Sequence, residues 1–271
     1  MNLPNIPETF HLGPLLLHTY GMTFAIGVCL AYAVGRYAAS KRGINLDHYD
    51  DMAFWALVIG FVCARAYYVI FYPQFFRGDF WEIFKTWDGG ISVYGGLVGG
   101  AAAIFWRAHK YKLNIWNVLD TFSLGLPLGQ AIGRIGNYIN HEAFGQPTNS
   151  AWKIFIPLID RPIDYYQYQY FQPTFLYEMI CDLLIFVILI SYFYFLSKTK
   201  SSSPNIKLKH YGIIFALYLI LYSIARFFIE HLRLDSAYIF GLKVDQITAV
   251  LLFVIGLAIL YYRYYHETLS S

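Results

Sequence analysis

The chain has 271 residues, of which 58% are apolar or aromatic and only 14% are charged, against roughly a quarter charged in soluble domains. A soluble surface needs more charge than this, whereas a surface facing lipid does not. The net charge of +3 is small and gives no reason to expect nucleic acid as a partner, since such binders concentrate Lys and Arg on one face.

The three cysteines, Cys29, Cys63 and Cys181, fall inside apolar segments without CxxC-type spacing. They read as small buried residues, with no disulfide framework or zinc site. Residues 1–14 carry no Lys or Arg, so no basic region of a signal peptide is expected there and the chain should enter the membrane directly.

A hydrocarbon core of about 30 Å takes about 20 helical residues to cross. Seven stretches are candidates: 15–38, 52–72, 90–107, 115–133, 174–196, 211–230 and 244–264. The third and fourth are the weakest, being rich in Gly and polar residues, and function is expected there. Arg36, Lys41, Arg42, Arg107, Lys110, Lys112, Lys198, Lys200, Lys207, Lys209 and Arg263 fall on one side of these spans. Arg77, Lys85, Lys153, Arg161, Arg233 and Lys243 fall on the other. The excess places the C-terminus in the cytoplasm and the N-terminus outside. The expected architecture is therefore an all-α integral membrane protein, one polytopic domain over 1–271 with seven transmembrane helices. The 197–209 segment reads as a basic cytoplasmic loop. The proline- and aromatic-rich stretch at about 134–173 reads as a small extracytoplasmic cap between helices 4 and 5. No internal repeat appears, unlike a transporter with duplicated halves.

Gly125, Gly129 and Gly133 share a helix face, which suits close backbone packing. The residues after them are less easily explained by packing. Arg134, Asn137, Asn140, His141 and Glu142 crowd the end of an apolar span, and ionisable residues at membrane depth mark function. If the helix continues, Arg134 shares a face with Asn137, and Asn137 with His141. In the sixth span Tyr222, Arg226 and Glu230 stack at spacing four, and Arg226 and Glu230 are placed to pair. Two arginines from different helices make an anion site, because a guanidinium fork matches phosphate oxygens. The most available anion at that depth is a phospholipid headgroup.

The run Trp87-Asp88-Gly89-Gly90 turns into a helix carrying Tyr94, Gly95, Gly96, Gly99 and Gly100, a pattern that suits tight packing. His18, Tyr20, Arg65, Asp120, Glu178, Asp182 and Gln246 are further polar residues within spans. Each alone reads as a satisfied interhelical contact, with Asp120 and Arg65 a candidate pair. No HExxH, GxSxG, P-loop or paired-Asp motif is present, and no metal or organic cofactor is indicated.

The run Gly133-Arg134-Ile135-Gly136-Asn137-Tyr138-Ile139-Asn140-His141-Glu142-Ala143-Phe144-Gly145 resembles the signature of bacterial prolipoprotein diacylglyceryl transferases. Leu17–Gly21, Trp87–Gly90 with Gly95-Gly96-Leu97, Leu176-Tyr177-Glu178, Arg226–Glu230 and the Gln246 region fall in family order, so the resemblance covers most of the chain. It implies a multi-pass enzyme of the bacterial cytoplasmic (inner) membrane, with other membrane lipids around it. Phosphatidylglycerol would donate its diacylglyceryl group to the lipobox cysteine of a prolipoprotein signal peptide, with glycerol phosphate released.

By that resemblance Arg134 binds the phosphatidylglycerol headgroup and Arg226 assists catalysis. Asn137, Glu142, Tyr20 and Glu230 orient substrate or hold the arginines, and Asn140, Gly95 and Tyr222 line the lipid site. The family also implies a histidine just before the Gly-Gly-Leu run as the base, and here that position is Tyr94. Three alternatives follow: Tyr94 with a lowered pKa, His141 as a substitute, or no dedicated base with the arginines acidifying the thiol. The competing reading is a lipid or ion transporter or scramblase with an arginine-lined cavity.

Overall fold

The computed structural model describes residues 6–13, 15–76, 80–86, 89–199 and 211–269. Among these are seven α-helices: α1 (Thr19–Arg42), α2 (Leu46–Phe71), α3 (Val93–Lys110), α4 (Ile115–Ile139), α5 (Thr174–Thr199), α6 (Ile213–Leu232) and α7 (Val244–Leu269). Each lies on one of the expected stretches. Five, namely α1, α2, α5, α6 and α7, are long and apolar enough to cross a membrane. The glycine- and polar-rich α3 and α4 fall outside that group, where the sequence is weakest. Most of the basic 197–209 loop, together with Trp87 and Asp88, lies outside the described residues.

Three small antiparallel hairpins add to the helices: β1 (Thr9–Leu12) with β2 (Leu15–His18), β3 (Ile154–Phe155) with β4 (Tyr170–Phe171), and β5 (Tyr238–Ile239) with β6 (Leu242–Lys243). The first corrects the expected start of the first span. Residues 15–18 pair with 9–12, so His18 ends a strand opposite Thr9 instead of lying in a helix.

The chain divides into two compact units, residues 36–118 and residues 1–35 with 119–271. In the first, α2 and α3 pack through glycine. A Cβ on Gly99 would sit 2.5 Å from Cys63 Cβ, and one on Gly60 would sit 3.2 Å from the Gly96 carbonyl oxygen. Gly95 is likewise pressed against the Cys63 carbonyl and Tyr67. Such contacts let two backbones approach where apolar burial offers no drive in lipid. Arg65 donates to the carbonyls of Glu82 (2.6 Å), Ile83 (2.8 Å), Lys85 (3.2 Å), Gly89 (2.6 Å) and Gly90 (2.7 Å), pinning the α2–α3 connection. At the other end of the pair, Arg107 grips Asp51 with two bonds of 2.5 and 2.6 Å.

In the second unit α6 packs between α5 and α7, and α4 lies on α1. Gly125 admits the Ala31 backbone, and a Cβ on Gly129 would meet the Gly27 carbonyl oxygen at 3.1 Å. Gly133 differs from the expected glycine stripe, since a Cβ there meets nothing within 4 Å. The expected Asp120–Arg65 pairing gives way to separate partners. Fully buried Asp120 accepts from the backbone N–H of Gly212 and Phe215, both at 2.8 Å. It thereby caps α6, whose own N-cap glycine has no side chain to offer.

Between α4 and α5 the chain builds a cap with its own core of Ala143, Phe144, Ile154, Ile156, Phe171 and Phe175. It meets the end of α6 through a bridge between Gly145 and Arg233. A Cβ on Gly145 would stand 2.9 Å from the Leu232 carbonyl oxygen, so only glycine permits that approach.

Candidate active site

α4 continues past the apolar span to Ile139 and so carries Arg134 and Asn137 on one face. Arg134 Nη1 donates to Asn137 Oδ1 at 3.2 Å. The helix then stops. Left-handed backbone at His141 (φ 52°) and Ala143 (φ 53°) turns the chain back, so the face expected to join Asn137 and His141 does not form. The imidazole Nδ1 of His141 instead lies 3.1 Å from the Asp160 carboxylate of the cap. The same turn brings Glu142 beneath α4, where its carboxylate accepts from Asn137 and Asn140 side chains, each at 3.4 Å. The ring of Tyr20 covers Gly136, where a Cβ would stand 2.6 Å from it.

One residue gathers the arginines. Glu178, on the second turn of α5 and 4% exposed, binds Arg134 Nη2 through Oε2 at 2.5 Å. Its Oε1 takes Arg226 Nη1 and, at 3.3 Å, Arg233 Nη1. Arg226 also pairs with Glu230 at 3.0 Å, as the four-residue spacing predicts, and with Asp245 in the first turn of α7 at 2.5 Å. Arg233 holds Asp235 with bonds of 2.7 and 2.9 Å. Burial works against ionisation of Asp235, but the Arg233 guanidinium outweighs it and keeps the carboxyl below its ordinary pKa. Lys243 closes the end of α6 by donating to the carbonyls of Glu230 (2.6 Å) and Arg233 (2.8 Å).

A small pocket opens on this network, lined by Arg134, Glu178, Cys181, Asp182, Tyr222, Ala225, Arg226 and Ile229. The two arginines differ in what they have left to give. Arg226 already faces three carboxylates. Arg134 faces one, and its buried Nε–H has no hydrogen-bond partner among the described residues. Arg134 is therefore the guanidinium with donor capacity left for a further anion.

The family model for prolipoprotein diacylglyceryl transferase matches residues 7–262. Proteins named phosphatidylglycerol–prolipoprotein diacylglyceryl transferase are similar to this chain in several bacteria. The one from Synechocystis sp. is 40% identical over 252 residues, 93% of this chain and 87% of the relative. The one from Thermotoga maritima is 39% identical, covering 91% and 81%. The one from Nostoc sp. is 37% identical, covering 95% and 90%.

The chain belongs to the prolipoprotein diacylglyceryl transferase family. With that membership and its apolar helices it is a membrane protein. The structure brings Arg134, Asn137, Asn140, Glu142, Tyr222, Arg226 and Glu230 of this family member into one connected set, with Tyr20 against its edge. Tyr94 and Gly95 open α3 in the other unit. The sequence reading passed over Glu178, Arg233 and Asp245 as site residues. What links each of them to the other arginines and carboxylates of the site is distant in the chain, as with Glu178 to Arg134, Arg226 and Arg233, and Asp245 to Arg226. The remaining signal was the presence of carboxylates at membrane depth where arginines also occur.

Proposed function

We propose that this transferase moves the sn-1,2-diacylglyceryl group of phosphatidylglycerol to the lipobox cysteine of a prolipoprotein signal peptide, in the bacterial cytoplasmic membrane. The reading carries seven crossings of one polytopic domain, the N-terminus outside and the cap on the extracytoplasmic side. The charge bias of the connections supports that orientation.

In the reaction the cysteine sulfur attacks the glyceryl carbon that bears the phosphate ester. A C–S bond forms, the C–O bond breaks, and the electron pair stays on the phosphate oxygen of the departing glycerol phosphate. One further negative charge thus develops on phosphate, and a preplaced donor aimed there lowers the barrier. Arg134, which lines the pocket and has a donor left, takes that role and binds the headgroup. Arg226 is the positioning centre, held by Glu178, Glu230 and Asp245 and flanked by Tyr222. Asn137, Asn140 and Glu142 fix the other side of Arg134 with Tyr20, and Tyr94 and Gly95 complete the proposed set.

The observation that carries this reading is the Arg134–Glu178–Arg226 bridge at a pocket in a member of this family. Arg134→Ala tests it. Product formation from phosphatidylglycerol and a lipobox peptide should fall by about 10²–10³-fold in protein that still purifies folded. Transfer at the parental rate would overturn the role of Arg134. Lipid movement across vesicles without any peptide product would favour the transporter or scramblase reading.

A further inference from the structure

Glu178 and Asp182 stand four apart on α5 and face the same side of it. Both are buried, at 4% and 3% exposed, yet they meet different surroundings. The Glu178 carboxylate lies within ion-pair distance of Arg134, Arg226 and Arg233, while its Oε2 receives no hydrogen bond of good geometry among the described residues. Asp182 lines the same pocket, and its Oδ2 receives no hydrogen bond among the described residues. Burying a carboxylate oxygen without a donor is costly, and native proteins rarely do it without a purpose. Arg134, which also lines the pocket, has an Nε–H without a hydrogen-bond partner among the described residues. One open acceptor and one open donor thus belong to residues lining the same small space, which an acid–base reaction requires and a purely structural ion network does not.

We propose that Asp182 is the general base of the transfer, an inference that rests on the reaction assigned above. The thiol proton of the acceptor cysteine passes to Asp182 Oδ2, and the freed sulfur pair makes the C–S bond. The C–O bond breaks with its electrons on the phosphate oxygen, beside Arg134. The carboxylic acid then returns its proton to that oxygen as glycerol phosphate leaves, so Asp182 is regenerated. Glu178 is committed instead to holding three guanidinium groups at ion-pair distance. The charged and titratable groups around Asp182 are Arg134 from α4, Glu178 and Cys181 from α5, and Tyr218, Tyr222 and Arg226 from α6.

The test uses full-length protein, phosphatidylglycerol and two lipobox peptides, one with cysteine and one with selenocysteine, whose selenol is already ionised at neutral pH. Asp182→Asn should lower kcat with the cysteine peptide by about 10²–10⁴-fold, the usual contribution of a general base. It should lower kcat with the selenocysteine peptide by less than about tenfold, since that nucleophile needs no base. Asp182→Glu should recover part of the cysteine activity. Equal losses with both peptides, or no loss, would overturn the assignment. If Asp182→Asn does not fold, Asp182→Glu decides instead: a loss of kcat confined to the cysteine peptide supports the base, and equal losses with both peptides overturn it. Failure of the parental protein to modify either peptide would sink the transfer reading itself and not only the base.

Discussion

Glu178→Gln removes a charge and little else, which makes it the sharpest perturbation of this site. The carboxylate engages three guanidinium groups through two oxygens, 4% exposed. Glutamine keeps the shape and one acceptor, but turns its other terminus into an NH₂ that faces an arginine donor. Arg134 loses the carboxylate at 2.5 Å, and a buried positive charge is left uncompensated. Breaking a buried pair by removing one partner costs about 3–5 kcal/mol. If that loss falls wholly on the transition state, the rate drops by about 10²–10⁴-fold, at 1.36 kcal/mol per tenfold. Initial rates of peptide modification across phosphatidylglycerol concentrations, beside a thermal melt in detergent, measure both parts. The expected result is a drop in kcat/KM of at least about 10²-fold, partly restored in Glu178→Asp, which keeps the charge. A Glu178→Gln protein within threefold of the parental kcat/KM would refute the idea that this residue organises the arginines.

Three further outcomes are expected. Asp120→Ala leaves two backbone donors at the start of α6 without their acceptor and should cost about 2–6 kcal/mol of stability, at about 1–3 per buried group; a lower melting temperature with normal activity per folded molecule would show it. Gly125→Leu should destabilise by at least about 1–3 kcal/mol, because its side chain meets the Ala31 backbone, whereas Gly133→Ala meets open space and should stabilise α4 by up to about 1 kcal/mol; parallel melts compare them. His141→Ala should retain transfer within about threefold, since its imidazole sits against Asp160 and does not line the pocket; a loss of the size expected of a general base, about 10²-fold or more, would restore His141 as a candidate base.

The helices were legible because apolar length is a local property. All seven expected stretches carry one, and the two weakest are the two that miss the length-and-apolarity test for a membrane span. Boundaries were less legible. Residues 15–18 are as apolar as the helix after them, and only their pairing with 9–12 makes them a strand. The Arg134 face was legible up to Asn137 but not to His141, because nothing in the run announces the left-handed turn that ends α4. The pairing of Arg226 with Glu230 follows from spacing alone. The role of Glu178 does not, since it depends on arginines 44, 48 and 55 residues further along or back in the chain. Asp120 and Arg65 were matched by opposite charge, whereas each satisfies backbone groups that carry no sequence signature.

The most direct measurement of the central claim is a doubly labelled transfer assay. Phosphatidylglycerol carrying one label in an acyl chain and another in its terminal glycerol is mixed with purified full-length protein and a lipobox peptide. The account predicts that the peptide gains the acyl label and a mass equal to one diacylglyceryl group, while the glycerol label appears in free glycerol phosphate in equal amount. Both labels on the peptide, or a folded preparation that leaves the peptide unmodified while binding the lipid, would contradict it.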